Sequence, residues 1–263
     1  MKTYRTLFIS DIHLGTRACQ AEMLLDFLRE HDADTIYLVG DVVDFWRIRR
    51  GAVWLHSHND VIQKILRKVR KGTRIIYIPG NHDEGIRDYC GQKFGGIEIE
   101  RQAIFETGAG KKYLIIHGDE FDVVVRYAKW LAFLGDRGYT LALWFNWPLN
   151  FIRRQFGLGY WSLSGYLKHR VKSAVNFIGD FEKSLSAEAG RQGVDGVICG
   201  HIHHAASRQF DAVHYLNTGD WVESCTAIGE NPDGTFEMIR WLDVVRARER
   251  SEAAPQPVAL KAA

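Results

Sequence analysis

Short apolar runs that stop abruptly at polar residues recur along the first part of the chain, separated by stretches with apolar residues at helical spacing. Thr6–Ser10 (TLFIS), Thr35–Val39 (TIYLV), Arg74–Ile78 (RIIYI) and Tyr113–Ile116 (YLII) are predicted as buried strands. Between the first three, Gln20–Glu30 sets Met23, Leu24, Phe27 and Leu28 on one helical face, and Val61, Ile65, Leu66 and Val69 mark a second amphipathic helix. Gly196–Cys199 reads as another strand, followed by strand-like runs at Ser207–Phe210, His214–Leu216, Cys225–Ile228 and Phe236–Trp241. A β-α-β-α-β start with a β-rich finish predicts an α/β sandwich.

The segment from Phe121 to about Gly190 breaks that rhythm. Residues 121–166 hold 13 of the chain's 32 aromatic residues, and 126–172 carry eight Lys/Arg against one acid, Asp136. This predicts a helical insertion, at about 121–190, within a domain spanning 1–245. After Val245 the polar, Ala/Pro-containing stretch RARERSEAAPQPVALKAA predicts a disordered tail over 246–263. The most apolar stretch, Gly138–Ile152, is shorter than the ~18 residues a spanning helix needs and is interrupted by Asn146 and Pro148. It can lie on a membrane surface but not cross one.

Composition narrows the class. The 263 residues are 46% hydrophobic and 25% charged, enough for a sizeable core, and 34 Lys+Arg against 32 Asp+Glu give a charge of +2. That balance excludes a chain that binds nucleic acid over its whole surface. Cys19, Cys90, Cys199 and Cys225 are widely spaced without a CxxC pair, as expected for reduced thiols in a cytoplasmic protein. The start, MKTYRTLFISDIHLG, has no signal-peptide h-region, which fits the same compartment.

The candidate chemistry sits where the strands end. The runs finish in Asp11-Ile12-His13, Gly40-Asp41-Val42-Val43-Asp44, Gly80-Asn81-His82-Asp83, His117-Gly118-Asp119 and Gly200-His201-Ile202-His203-His204. Ligands of open α/β sheets bind beyond the carboxyl ends of strands. Five segments therefore deliver Asp, Asn and His to one rim. Such oxygen and imidazole donors without thiolates suit Mn, Fe or Zn. Asp11, His13, Asp41, Asn81, His117, His201 and His203 are too many for one ion and enough for two, with the Asp41 carboxylate able to bridge them. Two divalent ions ~4 Å apart can activate water and stabilise the oxygens of an in-line phosphoryl displacement. The competing reading, strand-end capping and turn chemistry, explains such residues singly but not together. Asp44 fits either a partner orienting a ligand or a loop hydrogen bond, and Asp83 an orienting role. His204 should point away from His203 on extended backbone, and His56, His58, His169 and His214 match no motif.

The ordered set DxH, GDxxD, GNHD, HGD and GHxH resembles the calcineurin-like metallophosphoesterases over residues 5 to about 242. The resemblance implies an αββα sandwich with a dinuclear site. One ion would take Asp11, His13 and His203, the other Asn81, His117 and His201, with Asp41 between. His82 would be the catalytic histidine that stabilises the transition state or protonates the leaving oxygen. Two divalent ions are implied, manganese first, with iron or zinc also accommodated.

Within that family the insertion after HGD, the Gly219-Asp220-Trp221 turn and the length are similar to the UDP-2,3-diacylglucosamine hydrolases of lipid A synthesis. This implies cleavage of a lipid-linked diphosphate to UMP and 2,3-diacylglucosamine 1-phosphate, with peripheral contact at the cytoplasmic face of the inner membrane. Lys168, Arg170 and Lys172 would grip phosphate, and Trp130, Phe133 and Trp144 would line acyl chains. Those hydrolases read GNRD where this chain reads GNHD. A phosphodiesterase or phosphatase acting on another phosphoester is the alternative, and a non-catalytic binding scaffold a further one. The run LALWFNWPLNFI is too apolar for a nucleic-acid platform, so no nucleic-acid partner is expected.

Overall fold

The computed structural model describes residues 2–51, 53–121, 153, 155–156 and 163–253, with backbone alone at 163–176 and 252–253. The chain divides into two compact units, one made of residues up to Asp119 with Ala189 onward, the other Glu120–Glu188. The described helices are α1 (Ala21–Glu30), α2 (Phe45–Ile48), α3 (His56–Arg70), α4 (Leu163–Arg191) and α5 (Trp241–Ala253).

Two sheets build the first unit. One contains β1 (Lys2–Ile9), β2 (His31–Val39), β3 (Arg74–Ile78), β4 (Lys93–Phe94), β5 (Ile97–Ile99), β11 (Thr226–Glu230) and β12 (Phe236–Arg240), in the order β12-β11-β1-β2-β3-β5-β4. The other contains β6 (Ala103–Glu106), β7 (Lys112–Ile115), β8 (Gly196–Cys199), β9 (Ala206–Phe210) and β10 (Val213–Asn217), in the order β6-β7-β8-β10-β9. The β1–β2–β3 and β7–β8–β10 pairings are parallel.

Strand side chains alternate between two cores. Leu7, Ile9, Ile36, Leu38, Ile75 and Tyr77 face outward against Leu24, Phe27 and Leu28 of α1, Val61 and Ile65 of α3, and Trp241 of α5. Phe8, Tyr37, Val39, Ile76 and Ile78 face inward against Phe105, Tyr113, Ile115, Ile198 and Leu216 of the second sheet. Phe8 stacks on Tyr37 at 5.2 Å and meets the edge of Phe105 at 5.2 Å, so aromatic packing joins the sheets. The parallel strands of both sheets thus end on a common rim.

Three features depart from the sequence reading. β1 and β2 begin earlier than their apolar runs, because Lys2 to Tyr4 pair with His31 to Ala33, and only Tyr4 and Ala33 of these belong to the apolar core. The short β4, β5 and β6 lie at or beside sheet edges, where little apolar surface marks them. The disorder expected from 246 is overturned for 246–253, which continue α5. There Arg248 meets both carboxylate oxygens of Glu30 at 2.5 Å and lies 4.8 Å over the Trp241 ring, fastening the helix to α1. Residues 254–263 of the expected tail lie outside the described residues. Among the described residues no helix is long and apolar enough to cross a membrane. Cys19, Cys90, Cys199 and Cys225 form no disulfide.

Candidate metal centre

The rim is built from turns that reverse the chain as it leaves each strand. Asp11 (φ 50°), His13 (53°), Asp41 (53°), His201 (71°) and His203 (52°) all adopt left-handed backbone, which only two other described non-glycine residues do. Each such residue costs about 1–2 kcal/mol, so five together need support from their surroundings. Backbone bonds supply part of it: Asp11 N–H donates to Gly40 O at 3.0 Å, His13 N–H to Asp41 O at 2.9 Å and Trp221 N–H to Asp11 O at 3.0 Å. Side chains supply the rest. Asp11 Oδ2 accepts His201 N–H at 2.9 Å, and Asp41 Oδ1 accepts His82 N–H at 2.8 Å.

Asp83 is the knot of this arrangement. Its fully buried carboxylate accepts N–H bonds from Val42 (2.7 Å), Gly80 (2.5 Å), Asp41 (3.3 Å) and Val43 (3.4 Å), and the Tyr77 hydroxyl also donates to it. One side chain therefore fixes the turns after β2 and β3 together. Burial, with the neighbouring Asp41 charge, raises the Asp83 carboxyl above its ordinary value, while these donors favour its ionised form.

Six of the seven predicted ligands, all but Asn81, fall in two groups, and a third group of His13, Asp41 and His82 lies between them. In the first, His203 Nε2 lies 2.9 Å and His13 Nε2 3.9 Å from Asp11 Oδ1, and the two imidazole nitrogens are 3.3 Å apart. The second joins Asp41, His117 and His201, whose donor atoms fall within 4.8 Å of one another. Asp41 Oδ2 is 3.5 Å from His117 Nε2 and 3.7 Å from His13 Nε2, so this one carboxylate faces both groups.

A hydrogen-bond inventory tests whether cations fit there. Asp11 Oδ1, Asn81 Oδ1 and His117 Nε2 are buried without a hydrogen-bond partner, a costly state unless an ion satisfies them. His117 Nδ1–H donates to Val39 O at 2.9 Å, which leaves Nε2 as the coordinating nitrogen. His13 is oriented likewise, with Nδ1 3.2 Å from Asp44 Oδ2. Gly40, at φ +84°, is required because a Cβ there would enter the His117 ring. A Cβ on Gly80 would come within 2.6 Å of His117 Nε2.

The electrostatics agree. Burial pushes the Asp11 and Asp41 carboxyls up, but nearby imidazoles, His203 for Asp11 and His117 for Asp41, outweigh it and hold both below the usual carboxylate range. Burial lowers His117, yet Asp41 and Asp11 dominate and raise it to about 10, so a cation bound at Nε2 takes the place of the proton those carboxylates attract. Two carboxylates thus retain charge in a nearly dry site and attract positive charge. The donor set fits divalent cations.

His82 shares a group with the ligands His13 and Asp41, with donor atoms within 4.8 Å of one another, but is more open to solvent. Its side chain is 22% exposed, against 9% for His203, 6% for His13 and 1% for His117. Nδ1 is 3.0 Å from Asp44 Oδ2, at ion-pair distance, and Nε2 is 4.0 Å from Asp41 Oδ2. Trp46 lies over its ring at 4.3 Å. Asp44 Oδ2 therefore faces both His13 and His82, while its Oδ1 caps α2 by accepting Arg47 N–H at 2.9 Å. Burial pushes the Asp44 carboxyl up, but bonds to His13 and His82 carry it below the ordinary value. Sequence reading missed Tyr77, which lies inside an apolar run, and Trp46, which belongs to no motif.

A match of the calcineurin-like phosphoesterase family model to residues 4–205 decides the family. The chain belongs to the calcineurin-like phosphoesterases. Family and fold make this phosphoesterase a metal-dependent hydrolase of phosphoric esters. It is 26% identical over 242 residues to a UDP-2,3-diacylglucosamine hydrolase of Xanthomonas campestris pv. campestris, covering 87% of this chain and 96% of the relative. It is 27% identical over 251 residues to the enzyme of that name from Vibrio parahaemolyticus, covering 89% and 96%. Among solved structures, the hypothetical protein PH1004 from Pyrococcus horikoshii aligns with a TM-score of 0.49 at 9% identity, covering 97% of this chain and 95% of that one.

Two parts of the expected site are not described. Trp130, Phe133 and Trp144 lie outside the described residues, as do the side chains of Lys168, Arg170 and Lys172, whose backbone belongs to α4.

Proposed function

We propose that this phosphoesterase holds two divalent ions, Mn first among them, and hydrolyses UDP-2,3-diacylglucosamine to UMP and 2,3-diacylglucosamine 1-phosphate at the cytoplasmic face of the inner membrane. The observation that carries the two-ion reading is Asp41 Oδ2, which faces His13 on one side and His117 on the other. In this reading Asp11, His13 and His203 hold one ion, Asn81, His117 and His201 the other, and Asp41 bridges them. The ions would supply an activated water and positive charge for the phosphoryl oxygens.

The chain's own residues do the remaining work. Asp44 positions His82 through Nδ1, and Nε2 offers a proton to the oxygen leaving phosphorus. Trp46 packs on the same ring at 4.3 Å. Lys168, Arg170 and Lys172 are proposed to hold the distal phosphate, and Trp130, Phe133 and Trp144 the acyl chains. The substrate reading is supported by relatives named for that activity, which align over 87% and 89% of this chain and 96% of their own length.

The test is hydrolysis of UDP-2,3-diacylglucosamine by Mn-loaded protein, with a deacylated UDP-sugar as control. UMP released from the acylated compound alone is the expected result. Cleavage of an aryl phosphodiester with neither UDP-sugar touched would remove the lipid substrate and leave a phosphodiesterase of different specificity.

A further inference from the structure

Beside the metal centre lies a rim with no assigned role. The stretch 45–59 (FWRIRRGAVWLHSHN) carries three arginines and no acid. Arg47, Arg49 and Arg50 are exposed, as is Arg17 just beyond the His13 turn, and none of the four forms an ion pair among the described residues. Trp54 and Leu55 are 40% and 45% exposed at the start of α3.

The segments that carry these residues pack around Gly15. Ile48 of α2 packs so closely on Gly15 that a Cβ there would meet its Cγ1 at 2.9 Å. Gly15 N–H donates to the buried His58 Nδ1 at 3.2 Å, and the Trp54 ring stands edge-on to His58 at 5.4 Å. Asp44 N–H donates to Leu14 O at 2.8 Å, closing the ring of contacts. The Arg17 turn, α2 and the entry to α3 are thus neighbours in the fold. Trp46, between Asp44 and Arg47, connects it to His82.

We propose that Arg17, Arg47, Arg49 and Arg50, with Trp54 and Leu55, dock this rim on an anionic lipid surface. The proposal rests on the reading of a lipid-linked substrate, which must be drawn from a bilayer. Unpaired arginines complement the negative surface potential of phospholipid headgroups, while a tryptophan and a leucine supply shallow apolar anchorage. A single-stranded nucleic acid is the poorer fit, because it needs free aromatic faces for stacking. Here one face of Trp46 is covered by His82, and Trp54 is tethered through Nε1–H to Asn59 Oδ1 at 2.8 Å.

The test is sedimentation of the full chain with phosphatidylcholine vesicles, with and without phosphatidylglycerol, in the absence of substrate. The wild type should bind only vesicles containing phosphatidylglycerol, and less as salt rises. Each arginine near such a surface contributes about fivefold in partition, so Arg49→Ala/Arg50→Ala should weaken binding about 25-fold. Trp54→Ser/Leu55→Ser should also weaken it, and both variants should keep the wild-type melting temperature and metal content. Equal binding to both vesicle types, variants that bind like wild type, or arginine-dependent binding to single-stranded DNA in place of vesicles would overturn the proposal. Vesicle binding is read without turnover, so failure of the substrate assignment leaves this result standing, and the reverse holds as well.

Discussion

Asp44 Oδ2 lies 3.0 Å from His82 Nδ1 and 3.2 Å from His13 Nδ1, so a single carboxylate orients a predicted ligand and the predicted proton donor. Metal-site partners of this kind are worth about 10- to 100-fold in activity or affinity. Asp44→Asn should therefore lower kcat by about that factor with KM little changed. Steady-state kinetics with a soluble aryl phosphodiester read both constants. A change confined to KM would assign Asp44 to substrate binding.

Asp83 and Tyr77 make the second prediction. Tyr77→Phe removes one of the carboxylate's donors and leaves four backbone N–H groups in place, at a cost of about 1 kcal/mol. Asp83→Ala strands those amides in a buried site and should cost about 3 kcal/mol or more. Urea unfolding of the two variants gives the ranking. Equal losses would show that the amides find other partners.

The left-handed turns can be separated from steric crowding by two glycine substitutions. Gly51, at φ +112°, has open space around it, so Gly51→Ala should cost about 1 kcal/mol of backbone strain and leave ion binding intact. Gly40→Ala adds a methyl that meets the His117 ring and should abolish binding of the ion His117 is proposed to hold. Calorimetric metal titration distinguishes them. Normal titration of Gly40→Ala would mean that His117 can move without loss.

The cysteines give a prediction independent of the metal centre. Burial pushes the Cys19 and Cys225 thiols up to about 12, and Cys199 is buried as well, whereas Cys90 is half-buried. Iodoacetamide in mildly alkaline buffer should label Cys90 alone in the native protein and all four thiols after unfolding. Labelling is read by mass spectrometry, and rapid native labelling of Cys225 would contradict the packing around β11.

The polar ends of the strands were the most legible part of the sequence. An apolar run that stops at Asp, Asn or His places that side chain at a sheet rim whatever the details of the turn. Asp11, Asp41, His117 and His201 illustrate this: the structure gathers them from four strand ends. Tyr77 was not legible, because inside RIIYI it is indistinguishable from a core aromatic. Only the fold brings Asp83 beneath it. The helical continuation through 246–253 was hidden for the opposite reason. RARER resembles a solvated charge run, and the partner that orders Arg248 is Glu30, 218 residues away. Asp44 could be read either way because its two roles, helix cap and imidazole anchor, both hold.

Manganese titration followed by electron paramagnetic resonance decides whether Asp41 joins a pair of ions. Two Mn ions per chain and a spin-coupled signal are expected, with coupling and turnover lost in Asp41→Asn. A single ion at saturation, or an Asp41→Asn variant that keeps both coupled signal and full turnover, would contradict the bridging role of Asp41.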